Sequence, residues 1–212
     1  MESVLDRVIK QNTENVNLLK TKDYNIFSVL QIQSKEVLIC RMIADLLNPR
    51  GQHGAGAEYL KIFLRDCLGM EKMDTKLADQ AIVTAEYAID DERRIDIVIE
   101  MGSYFLPIEV KIYAADQKSQ CFDYYQYAKR RDAQAKVYYL TLDGHRPGKD
   151  STSSGSQSVP EEDIVCLSFR EHILNWLKAC KNCGNTGMIP ILEQFIRNIE
   201  QISGYTRERG RN

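Results

Sequence analysis

Residues 93–127 read RRIDIVIEMGSYFLPIEVKIYAADQKSQCFDYYQY, and they put charges where a fold does not ordinarily tolerate them. Asp96 interrupts the apolar run Ile95 to Ile99, and Glu109 and Lys111 interrupt a second run, Pro107 to Ile112. Side chains alternate faces along a strand, so Glu109 and Lys111 share one face while Ile108, Val110 and Ile112 take the other. By the same rule Asp96 lies opposite Ile95, Ile97 and Ile99. The link from Met101 to Tyr104 contains Gly-Ser and predicts a hairpin, which makes the two strands antiparallel neighbours. Two carboxylates and one ammonium then meet on one surface. Such groups are unfavourable to bury unless they are paired or bind a cation. The pattern predicts either an ion pair of Asp96 or Glu109 with Lys111, or a hard-cation site with Lys111 beside it.

The segment after the second strand favours the cation site. A helix is expected from Asp116, with Gln117, Gln120, Tyr124, Tyr127 and Arg131 along one stripe and Cys121, Tyr124, Tyr125 and Ala128 on the packing face. Packing does not explain Gln117 and Gln120. Both fall in the expected first helical turn, directly after the strand that carries Glu109 and Lys111.

An Asp on one strand, Glu-x-Lys on the next and a helix opening with Gln resemble the PD-(D/E)XK nuclease superfamily. Upstream, residues 36–64, EVLICRMIADLLNPRGQHGAGAEYLKIFL, are similar to the N-terminal signature of one bacterial branch of it. That signature reads roughly Glu-x-x-His-Ser, then Leu-Leu-x-Pro-x-Gly-x-His-Gly, then Phe-Leu. The similarity runs from about Glu36 to about Gly204. It implies an α/β fold with a restriction-endonuclease-like αβββαβ core, its mixed central sheet flanked by helices. It also implies that Asp96 and Glu109, helped by the Val110 carbonyl, ligate Mg2+ or Mn2+. Lys111 and Gln120 would act on the attacking water, Glu36 would support the metal or hold a second one, and Gln117, His53 and Tyr124 would contact substrate. The implied activity is metal-dependent endonucleolytic hydrolysis of nucleic acid, DNA in preference to RNA, with a homodimer where both strands are cut. A catalytically silent nuclease-like binding or interaction module is the alternative. Two positions depart from the family pattern: its His-Ser is Ile39-Cys40 here, and its Pro before the Asp is Ile95.

Length and composition suit this reading. The chain has 212 residues, 43% hydrophobic and 27% charged, which suits a single ordinary domain. A net charge of -2 rules out the broad basic field of a tight non-specific DNA binder, so contacts must come from local groups. Lys129, Arg130 and Arg131 and the tail residues Arg207, Arg209 and Arg211 are such groups, although each set is explained as simply by solvation. No apolar run reaches membrane-spanning length and the N-terminus lacks a signal-peptide core, so a cytoplasmic location is expected. Cys40, Cys67, Cys121 and Cys166 sit in apolar contexts that suit reduced thiols, and Cys180-x-x-Cys183 lacks the second pair that a structural zinc needs.

The remaining segments are read as scaffold. An amphipathic helix is expected at 2–20 and an apolar segment at 26–32. Ser34 is expected to cap a helix ending near Leu47, on which Glu36 shares a stripe with Ile39, Cys40, Ile43 and Leu47. Then come a Gly-rich loop holding His53, a packing helix at 57–68, a loop at 69–80 and a strand at 82–89 carrying Glu86. A buried strand at 136–142 should run parallel to the Glu-x-Lys strand. A flexible loop at 143–160, a strand at 164–167 and helices at 171–181 and 189–202 complete the chain. Members of the branch often extend further at the C-terminus, so this chain reads as a short version or a truncated one.

Overall fold

The computed structural model describes residues 24–71, 73–183 and 185–204. The segment expected to be helical at 2–20 and the tail residues Arg207, Arg209 and Arg211 lie outside the described residues. Five strands form the central sheet: β1 (Ile82–Ala88), β2 (Arg94–Met101), β3 (Tyr104–Lys111), β4 (Val137–Thr141) and β7 (Ile164–Ser168), in the order β1-β2-β3-β4-β7. A small ribbon pairs β5 (Ser153–Ser154) with β6 (Gln157–Ser158). The first three strands are an antiparallel meander, and β4 and β7 add to it in parallel. The sheet is therefore mixed. The parallel step from β3 to β4 is made through helix α5 (Gln120–Arg131), as a parallel neighbour requires a crossover.

Helices cover both faces. On one, α2 (Glu36–Leu47), preceded by the short α1 (Ile26–Val29), packs its Ile39 and Ile43 in the core that holds Ile97, Ile99, Ile108, Val110 and Ile112. That core also takes in α3 (Glu58–Asp66), α7 (Leu174–Cys183) and α8 (Ile189–Ile202). Trp176 of α7 fixes one of these contacts: its indole Nε1 donates to the Tyr59 carbonyl of α3 at 2.8 Å, and its ring meets Phe63 edge-on. On the other face α5 packs Cys121, Tyr124 and Ala128 against Ile95, Val98, Phe105, Val137 and Tyr139. Each fully buried aliphatic side chain contributes about 1.5–3 kcal/mol, so the hydrophobic runs on β2, β3 and β4 hold the sheet between its two helical layers.

The structure corrects several local expectations. Helix α2 is N-capped by Lys35, without a side-chain cap bond, and not by Ser34. The stretch read as a loop at 69–80 contains α4 (Thr75–Asp79), whose cap Asp74 accepts the Lys76 N–H at 3.0 Å. Helix α5 starts four residues later than expected, because Ser119 adopts the left-handed conformation at φ 57° and no helix continues through it. Residues 113–118 are consequently a loop. The span 143–160, expected to be flexible, contains α6 (Lys149–Thr152) and the β5/β6 ribbon, and it is tied to the start of α5. Ser119 donates its N–H to the Asp150 carbonyl at 2.7 Å and its hydroxyl to the Ser153 carbonyl at 2.8 Å. No helix among the described residues is long and apolar enough to cross a membrane.

The β2–β3 hairpin turns at Gly102, which sits at φ 57°, and a Cβ there would also lie 3.2 Å from Leu77 Cδ2. Gly102→Ala is therefore expected to lower stability by about 1–2 kcal/mol. Urea denaturation reads this directly, and an unshifted midpoint would show that the hairpin does not depend on this turn.

Candidate active site

The ladder between β2 and β3 runs from Met101 opposite Tyr104 down to Ile97 opposite Ile108 and stops there. One residue further, the alternation breaks. Ile97 and Ile99 face the α2 core, but Ile95 faces the α5 core together with Val98. The expectation that Asp96 lies opposite Ile95, Ile97 and Ile99 therefore fails for Ile95. Strand β1 makes the same switch, since Ala85 packs with the α2 core and Tyr87 with the α5 core. Between them Glu86 adopts φ 53°, a conformation that sets the next residue off the pleat. With no ladder partner, the Asp96 carboxylate takes the Val110 N–H of β3, Oδ2 to N at 2.7 Å. The irregularity is what lets an aspartate reach across to the strand that carries Glu109.

Glu109 and Lys111 point together toward the α5 side, and both are buried, at 1% and 7% exposure. Lys111 Nζ donates to Glu109 Oε1 at 2.6 Å, while Glu109 Oε2 is buried and receives no N–H; the Glu109 and Asp96 carboxyls lie within hydrogen-bonding reach of each other, two acceptors that only a shared proton or a cation can join. An orphaned carboxylate oxygen in such a place is costly unless something else binds it. Burial, with the Asp96 charge adding to it, pushes the Glu109 carboxyl well above its ordinary range. Asp96 is raised as well, chiefly by burial, against the pull of the Val110 N–H and the Lys111 ammonium. For Lys111, burial acts to lower the pKa, but Glu109, Asp96 and Glu36 together outweigh it and leave the group raised above 10.5. The ammonium stays charged at neutral pH.

Glu36, at the first turn of α2, closes the site from the other layer. Its Oε2 accepts the Ile112 N–H at 2.7 Å, just past the end of β3. Gln120, the first residue of α5, is buried; its Nε2 donates to the Tyr124 hydroxyl at 3.0 Å, and its Oε1 has only a weak 3.4 Å contact from the Gln117 N–H. The structure thus brings Asp96, Glu109, Val110, Lys111 and Glu36 together, and ties Gln120 to β2 beside them through the Tyr124 hydroxyl, which bonds the Arg94 carbonyl.

Three other residues named from the sequence make bonds within the protein. Tyr124 is buried, and its hydroxyl donates to the Arg94 carbonyl while accepting from Gln120, so it braces Gln120 against β2. Gln117 stands in the loop before α5, its Oε1 held by Arg93 at 2.8 Å. His53 is 1% exposed and lies over Tyr59; Nε2 meets the Asn48 carbonyl and Nδ1 accepts the Ala55 N–H, both at 3.0 Å. Its ring nitrogens are occupied in shaping the 48–56 loop and leave none for a ligand.

Two residues with a structural part in the site carry no signal in the sequence. Arg93 reaches across to bind Asp123, Gln117 and the Lys118 carbonyl, fastening the 113–118 loop. Asp116 accepts the Tyr139 hydroxyl and the Gly148 N–H, both at 2.7 Å, joining that loop to β4 and to the 143–160 span. Neither role has a periodic or motif signature, because each depends on loop paths that local sequence does not encode.

Among curated proteins and among solved structures nothing matches this chain. A family model does, over residues 24–198, and its description is PD-(D/E)XK nuclease superfamily. That span includes the mixed sheet, the helices on both its faces as far as residue 198, and every residue gathered above. Members of this superfamily are usually metal-dependent nucleases that employ divalent ions such as Mg2+. With its strand-borne Asp, its Glu-x-Lys and its αβββαβ order on the matched span, the chain belongs to the PD-(D/E)XK nuclease superfamily.

Proposed function

We propose that this protein hydrolyses phosphodiester bonds of nucleic acid, DNA in preference to RNA, as an endonuclease dependent on Mg2+ or Mn2+. The single observation that supports this most is the unpartnered Glu109 Oε2, buried beside a second carboxylate with only one ammonium between them. A divalent cation bound there would satisfy that oxygen and remove the repulsion with Asp96. Among the described residues no three His, Cys, Asp or Glu side chains gather into a metal cage. Two carboxylates and the Val110 carbonyl, with the other positions left to water, suit Mg2+, which keeps several waters and prefers oxygen.

When bound, the ion lowers the pKa of water and neutralises charge on the scissile phosphate. Asp96 and Glu109 would hold it, with Glu36 as a supporting carboxylate at the end of β3. Lys111, charged and fixed by Glu109, would donate to the phosphate oxygens and orient the water, which is electrostatic stabilisation of the transition state by a preorganised donor. Gln120 Oε1, weakly engaged in this structure, is the acceptor available to that water. Tyr124 would keep the Gln120 side chain in place. A homodimer would supply a second site, one for each strand, where a duplex has opened locally.

Two experiments test this. Supercoiled plasmid, whose strands open locally, is expected to be degraded with Mn2+, and EDTA to stop it; Lys111→Ala, Glu109→Gln and Asp96→Asn should each slow cleavage by about a hundredfold or more. Cleavage at the unaltered rate by Lys111→Ala would overturn the assignment. The second reads folding. The folded chain holds the Glu109 proton more tightly than the unfolded chain, so that contribution to stability is fully present below pH 4.5 and is lost as pH rises through the raised folded value. Asp96, raised from 3.8, acts in the same sense. The melting temperature of metal-free protein should therefore fall with rising pH over this range, and Mn2+ should raise it most at the alkaline end. Glu109→Gln is expected to flatten the pH dependence and remove the Mn2+ shift. A full Mn2+ shift in that variant would place the ion elsewhere.

A further inference from the structure

We propose that the substrate strand enters the site with its bases unpaired, and that Tyr113 is the platform on which a base next to the scissile phosphate stacks. The inference rests on the nuclease reading and names the form of nucleic acid that the site takes.

Its first support is the placement of Tyr113. The residue directly follows Ile112, whose N–H is fixed by Glu36, and stands two positions after Lys111. Its side chain is nevertheless 69% exposed, and it has no hydrogen bond or ring contact among the described residues. Other tyrosines near the site are spent: the hydroxyls of Tyr87, Tyr124, Tyr127 and Tyr139 are all bonded within the protein. The backbone beneath Tyr113 is also secured at both ends. Glu36 holds its near side, and Arg93 and the Ser119–Asp150 bond hold the far side of the loop. An aromatic ring left in water on a fastened loop beside a phosphate-cleaving site has the properties of a stacking surface.

The second support is charge. A protein that grips duplex DNA through six to ten phosphates needs a wide basic face, and a chain of net charge -2 does not offer one. Two exposed lysines adjoin the segments that hold this position. Lys35 immediately precedes Glu36, and Lys118 closes the loop that Tyr113 opens; neither has an ion-pair partner among the described residues. Two cations and one ring suit one or two phosphates and an adjacent base. Stacking is worth about fivefold to a hundredfold in affinity per base and tolerates any sequence, so it supplies binding that charge alone does not. A base inside a duplex has both faces covered by its neighbours and is closed to such a ring.

The test uses the full chain and a fluorescein-labelled oligonucleotide of mixed sequence, single-stranded or annealed to its complement. Binding is read by anisotropy in EDTA, and turnover by Mn2+-dependent cleavage. The single strand is expected to bind and to be cut at least about tenfold better than the duplex. Tyr113→Ala should lose most of that advantage through a raised KM, while Tyr113→Trp should keep it. Since Tyr113 is exposed, both variants should melt with the unaltered protein. Equal use of the two forms, a Tyr113→Ala variant that behaves as the original, or binding of neither form would overturn the inference. The nuclease reading fails separately: a protein that binds the single strand through Tyr113 yet cuts nothing would sink the chemistry and leave the platform standing.

Discussion

Burying Glu109 and Lys111 between a sheet and a helix, with the half-buried Asp96 beside them, leaves one ammonium to balance two carboxylates, and the surrounding architecture is a response to that imbalance. Removing a carboxylate from water costs several kcal/mol even after local relaxation. The protein offsets part of this with the 2.6 Å Lys111–Glu109 pair and with the Val110 N–H bonded to Asp96. What it leaves uncompensated is the second oxygen of Glu109, the atom that a cation would satisfy. A sheet built only for stability would fill these positions with aliphatic side chains, as it does one residue to either side on both strands.

The scaffold holds this unfavourable arrangement by fixing its members from three directions. The hairpin sets Asp96 near Glu109, the crossover helix brings Gln120 over the same face, and α2 reaches back with Glu36 to the end of β3. Local irregularities lie at the junctions between these parts. Glu86 and Ser119 both adopt positive φ, the first on the strand beside β2 and the second at the entrance to α5. Each costs on the order of 1 kcal/mol, and such strain persists only where the surrounding structure over-determines it.

How much of this was legible depended on whether the signal was periodic. The β2 and β3 runs, the Gly-Ser turn and the parallel β4 strand could be read because alternation and turn chemistry are local properties. From them came the approach of Asp96, Glu109 and Lys111, and the Glu-x-Lys spacing pointed to the family. The switch of Ile95 to the other core could not be read, since it goes with the backbone angle of Glu86 on the neighbouring strand. Gln117 was misplaced for a similar reason: helical periodicity continues through Ser119 in the sequence, but the chain turns left-handed there to meet the 148–153 segment. Glycines around His53 mark a loop but not its burial, which Tyr59 provides by covering the ring from the next helix. Arg93 and Asp116 carry no such signal, because a cross-link between loops has no one-dimensional trace.

The bond from Glu36 to the Ile112 N–H joins residues 76 positions apart, and Gln120 lies further along still. Contacts of such separation form late, after the entropy of closing a long loop has been overcome. During synthesis on the ribosome, α2 leaves the exit tunnel long before its partner strand exists, and the crossover helix comes later again. A growing or prematurely released chain therefore holds the pieces of the constellation without its geometry. Any hydrolytic power acquired by this polypeptide would arrive all at once, when the crossover helix docks on the sheet, and not in gradual increments.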